Sequence, residues 1–100
     1  CYPKTVMKPG NTKIVENGND RVVEFPPMVK QKGRLLVSCT YLYDRFHTMV
    51  PAEVVISGRD YVDIKNLQNS GIVVRYFEDK DMAVILPENE IPPLTAKNRA

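Results

Sequence analysis

The sequence predicts a mostly β or α+β domain, and three observations carry that reading. Apolar residues recur at every second position in several short runs, which is the period of a strand. The runs are cut by Pro9-Gly10, Asn17-Gly18, Pro26-Pro27, Ser57-Gly58 and Pro92-Pro93, dipeptides that turn or stop the chain. Only one window, near residues 60–69, reads better as a short helix than as a strand. One hundred residues hold one domain with a single modest core. The expected architecture is therefore a small single-domain barrel or half-open sheet, SH3-like first, or else a split sheet with one covering helix.

Along the chain, residues 1–20 read as a flexible N-terminal arm or tether. Pro3 and Pro9 lack amide donors and push their predecessors toward extended backbone. Residues 21–94 form the globular β-rich domain. DRVVEFPP opens it as an edge strand stopped by two prolines. In RLLVSCTYLY, Leu35, Val37, Cys39, Tyr41 and Tyr43 fall on one face, so the whole run reads as a strand. PAEVVIS is a further strand, ended by Ser57-Gly58.

In DYVDIKNLQNSG, Asp60 suits an N-cap, Asp63 a capping box, and Gly71 a left-handed stop. GIVVRYFEDKDMAVILP is a hairpin: Ile72, Val74 and Tyr76 on one face, Val73, Arg75 and Phe77 on the other, and a polar turn before Met82–Leu86. Both its faces are largely apolar, so both strands are expected in the middle of a sheet. Residues 95–100 read as a frayed C-terminal tail.

The composition, 43% apolar and 26% charged without blocks of like charge, excludes wholesale disorder. A net charge of +2 does not point to nucleic acid by itself. The excess is local: residues 1–34 carry seven basic against three acidic side chains, and the remainder seven against nine.

Cys1 is the first residue of the sequence, and CYPKTVMKPGNTK resembles the mature start of a bacterial lipoprotein, a lipid-bearing cysteine followed by a tether. That resemblance implies lipid attachment at Cys1, a membrane tether, and a place in the cell envelope in preference to the cytoplasm. One acyl chain holds a membrane only marginally, so such an anchor needs further chains. The order strand, helix, Gly, strand, turn, strand from Val54 to Leu86 resembles the second half of the small ring-forming domains of secretins and of some secretion-machine lipoproteins.

Reactive chemistry is sparse. Two cysteines and one histidine cannot assemble the usual four-ligand zinc site, and five scattered glycines form no phosphate-cradling loop. Cys39, among apolar neighbours, reads as a small buried hydrophobe. Asp44 and His47 in DRFHTM are the best catalytic pair, and their nucleophile, Ser38 or Cys39, would have to be brought to them by the fold. Glu78, Asp79 and Asp81 sit in a turn beside Lys80, where water screens them. No metal, cofactor or small-molecule substrate is inferred.

Two binding readings remain. A small barrel could bind single-stranded nucleic acid by stacking bases on exposed rings between cations, through Arg45, Phe46, Arg75 and Tyr76. The favoured reading is a non-catalytic interaction or assembly module for a protein partner or for self-assembly. Its contacts are Tyr2, Val6, Met7, Ile14 and Val15 of the arm with Val22, Val23 and Phe25 of the first strand, which could extend a partner's sheet.

Overall fold

A computed structural model describes residues 4–67 and 70–87. Among the described residues the chain builds two antiparallel sheets around one core, with a single short helix. Sheet 1 contains β1 (Thr5–Met7), β2 (Lys13–Glu16) and β3 (Asn19–Val22), and, from the far end of the chain, β8 (Ile72–Phe77) and β9 (Met82–Pro87). Sheet 2 lies between these halves in sequence: β4 (Met28–Gln31), β5 (Arg34–Ser38), β6 (Val54–Ile56) and β7 (Arg59–Asp63). Helix α1 (Cys39–Phe46) follows β5 directly, and a single 3-10 turn (Ile64–Asn66) follows β7. The strand orders are β3-β2-β1-β9-β8 and β4-β5-β7-β6. This is the small, mostly β domain that the alternating runs predict.

Three hairpins close by one device. Asn17-Gly18, Lys32-Gly33 and Ser57-Gly58 each put both residues in the left-handed region, at φ 52° and 84°, 51° and 78°, and 53° and 77°. Two positive φ values in a two-residue loop make the type I′ turn, whose twist matches that of the strands it joins. Register follows from it, with Glu16 opposite Asn19, Gln31 opposite Arg34 and Ile56 opposite Arg59.

Several expectations are corrected. Residues 5–7 and 13–16 are strands of sheet 1, so the described part of the 1–20 segment is not an arm. Met7 and Ile14 are 2% and 1% exposed, and burying them stabilises far more than leaving them in water. The strand expected through Tyr43 stops at Ser38. From there Cys39, Leu42 and Phe46 share one helical face, Ser38 Oγ accepts from the Tyr41 amide at 3.1 Å, and His47 at φ 55° returns its N–H to the Tyr43 carbonyl at 3.0 Å.

The helix expected near 60–69 is instead strand β7 followed by the 3-10 turn. The Ser57-Gly58 turn folds β7 onto β6, and β5 pairs with its other edge, so ladder bonds on both sides override a weak local helix signal. Asp63 rather than Asp60 is the cap, accepting from the Lys65 amide at 2.9 Å. In the C-terminal hairpin only β9 is central; β8 is an edge. The C-terminal tail, Cys1 and Tyr2 lie outside the described residues.

Met7, Ile14, Ile72, Ala83 and Ile85 of sheet 1 meet Met28, Val37 and Val62 of sheet 2 and Tyr41, Leu42 and Phe46 of α1 in one buried cluster. The strand alternation that fills this core fixes what the other face of sheet 1 carries.

Candidate interaction surface

On that other face, the register aligns five side chains across the sheet. Asp20 lies opposite Val15, Val15 opposite Val6, Val6 opposite Val84, and Val84 opposite Arg75. The three valines are half-buried, and the charges at the two ends are exposed. Val22 shares this face and is 71% exposed, as is Phe77 at 45%. Beside the row is a shallow recess of about 240 Å³, lined by Val6, Met7, Lys8, Lys13, Val15 and Met82. Sheet 1 is thus apolar on both faces, a composition that exceeds what its own core uses.

Two polar clamps hold the architecture. Glu16, 8% exposed, receives both Nη2 and Nε of Arg45 at 2.8 and 2.9 Å and the Tyr41 hydroxyl at 3.0 Å, with Arg21 Nε at 3.7 Å. This joins β2 to α1 by a two-toothed, charge-assisted contact. Burial drives the Tyr41 hydroxyl pKa upward; the adjacent Thr5 hydroxyl pulls it down and the Glu16 carboxylate adds to the rise. A hydroxyl shifted that way stays protonated and donates to Glu16.

The second clamp lies on sheet 2. Arg34 Nε reaches Asp63 at 2.9 Å, and Glu53 accepts from the Asp63 amide at 2.9 Å and from Asn66 at 2.6 Å. The Lys65 amide lowers the Asp63 pKa, partial burial opposes it, and Arg34 adds to the lowering. The Asp63 amide and Asn66 lower that of Glu53. A depressed native carboxylate pKa contributes stability that is fully present above the ordinary value, about 4. That stability is lost as pH falls through the lower native value, because the unfolded chain takes the proton first. Asp63→Asn is accordingly expected to flatten the fall in urea stability below about pH 4. An acid limb identical to that of the original chain would contradict it.

The fold does not bring Ser38, a nucleophile nominated from the sequence, to His47. Ser38 caps α1 and is wholly buried, whereas His47 ends it and is exposed. The eight helical residues between them hold them roughly 13 Å apart. Asp44 is exposed on α1, and burial raises the Cys39 thiol pKa, which disfavours the reactive thiolate. Among the described residues no three His, Cys, Asp or Glu side chains gather to hold a metal ion, and no helix is long and apolar enough to cross a membrane.

The nucleic-acid set is also dispersed. Phe46 is 2% exposed in the core and Arg45 is engaged by Glu16. Tyr76 is half-buried with its hydroxyl on Asp81, a bond that leads the rise of its pKa to about 12. Arg75 alone of the four is exposed.

The partner-binding set divides by strand alternation. Val6, Val15 and Val22 face outward, Met7 and Ile14 belong to the core, Val23 packs against the core, and Phe25 lies under the Arg59 guanidinium, 4.4 Å from ring centre to carbon. The Glu16–Arg45 clamp escaped sequence reading because its members lie 29 residues apart with no local pattern between them. The outward valines had a signal: Asn17-Gly18 between KIVE and NDRV is a hairpin in its own right. Compared with family models, curated proteins and solved structures, the chain matches none.

Proposed function

We propose that the protein is a non-catalytic interaction module that docks a second protein on the outward face of sheet 1, along Val6, Val15 and Val22. The observation that supports this reading is the aligned valine row, apolar on a face that the domain's own core does not use, with an acidic residue at one end and a basic one at the other. Apolar area gives such a contact its affinity, and the terminal charges give it orientation. The edge strand β3 adjoins the row, and its exposed Asn19, Asp20 and Arg21 offer polar side-chain contacts to the same partner.

A lipid on Cys1 would hold the module at a membrane surface in the cell envelope. Intact mass of the chain from its native host tests that part alone, since attached acyl chains add several hundred daltons on the order of the chains present.

The docking reading is tested with a photo-crosslinking residue at Val22, and at Val55 of sheet 2 as a control that is similarly exposed, at 66%. Position 22 is expected to yield one defined adduct, this chain plus a single other polypeptide, and Val15→Lys is expected to abolish it. No adduct at 22, or the same adducts from both positions, overturns the reading.

A further inference from the structure

The four sheet edges differ in how they are protected. β3 carries Asn19, Asp20 and Arg21, all exposed. β4 follows Pro26-Pro27, carries Lys30, and has its Met28 carbonyl taken by the Gly10 amide at 2.7 Å. β6 has three residues and follows Pro51. Charge, proline, shortness and covering backbone are the usual means of blunting an edge. β8 has the least of them: its six residues, Ile-Val-Val-Arg-Tyr-Phe, contain one charge, Arg75, and no proline, and its only covering cation is Lys30 of β4, 5.8 Å over the Tyr76 ring among the described residues. Among the described residues no strand lies against its free side.

We propose that β8 pairs with β8 of a second copy of this chain, antiparallel about a two-fold axis through Val74. Topology selects the isologous contact. In sheet 1 every neighbour is antiparallel, so β3 and β8, four places apart, run in the same direction. Joining β8 to a neighbour's β3 would make a short parallel pair and an open-ended array. Joining β8 to β8 makes a closed antiparallel pair.

Side-chain chemistry selects the register. A two-fold axis normal to the sheet keeps each face continuous, so only residues whose numbers sum to an even value lie opposite one another. Centred on Arg75, the pairing would set two guanidinium groups directly opposite, which is unfavourable. Centred on Val74, it sets Val74 opposite Val74, Ile72 opposite Tyr76 on the core side, and Val73 opposite Arg75 on the outward side. This interface shares Arg75 with the basic end of the valine row but leaves Val6, Val15 and Val22 of the proposed partner docking open. It is small, and the dimer is accordingly weak.

The register makes two substitutions at one outward position behave oppositely. Val73→Lys places a cation opposite each Arg75, and Val73→Glu places an anion there, twice per dimer. The Glu variant is expected to dimerise more tightly than the Lys variant by about tenfold, the sum of two cross-strand pairs.

Sedimentation equilibrium of the full chain, from micromolar to near-millimolar concentration, is expected to show reversible monomer and dimer. Hydrogen exchange of the unsubstituted chain is expected to show β8 amides gaining protection as concentration rises. A monomer at every concentration, species larger than a dimer, a dimer without added β8 protection, or equal association of the two Val73 variants would each overturn the proposal. The exchange measurement needs no variant, so a substitution that failed to fold would not leave the question open.

Discussion

Replacing Arg45 by methionine is expected to lower the free energy of unfolding by about 3 kcal/mol, the cost of leaving a buried charge without its partner. Glu16 is 8% exposed and relies on two Arg45 hydrogen bonds; what remains is the Tyr41 hydroxyl and a looser Arg21 contact at 3.7 Å. The reverse deletion is milder. Arg45 keeps 32% of its side chain in water, so after Glu16→Gln the guanidinium rehydrates, and the loss is about 1 kcal/mol.

Substituting both, Glu16→Leu with Arg45→Met, is expected to recover much of the single-variant loss, since well-packed apolar pairs replace buried ion pairs at little net cost. Urea unfolding at neutral pH reads all four chains. For a domain of this size, 3 kcal/mol corresponds to a Tm lower by on the order of 15 °C. Equal and small losses from both single variants would mean that the contact behaves as a surface ion pair.

Phe46→Ala is expected to cost about 4 kcal/mol, through lost apolar transfer and the cavity left behind. Phe46 is 2% exposed at the end of α1, within the cluster shared by both sheets, and stands edge-on to Tyr41 with ring centres 6.4 Å apart. Phe46→Leu, which keeps most of the volume, should lose less than half as much. If Phe46→Ala instead left unfolding unchanged and altered only affinity for single-stranded nucleic acid, the ring would be an exposed stacking platform and its place in the core would be wrong.

What the sequence made legible was local. The 71–87 hairpin could be read because its alternation and polar turn lie within a few residues, and the structure pairs Phe77 with Met82 across that turn. Residues 35–43 show why other parts could not be read. Cys39 and Tyr41 satisfy a period of two, yet Cys39, Leu42 and Phe46 satisfy a helical period as well, and the choice between them was made by a capping hydroxyl and by contacts from distant strands.

Asp60 to Leu67 failed for a related reason: β5 and β6 supply pairing that no local window contains. In residues 4–20 Pro9 points to an extended tether, whereas the Asn-Gly turn and the burial of Ile14 decide the structure. Of the apolar residues of β1 and β2, Val6 and Val15 turn outward while Met7 and Ile14 turn inward, and which side is inward is decided by a core that distant strands complete.

Because β1 is bonded to β9, Val6 meets Val84 only after every strand between them has been made. Sheet 2, by contrast, consists of neighbouring hairpins whose halves are adjacent in sequence. A nascent chain leaving the ribosome can therefore form sheet 2 early, while β1, β2 and β3 wait for their central partner with apolar side chains unshielded. The slowest event in making this molecule is expected to be closure of that long loop, and a break in translation before β9 emerges would release a product with half a sheet and a strong tendency to aggregate.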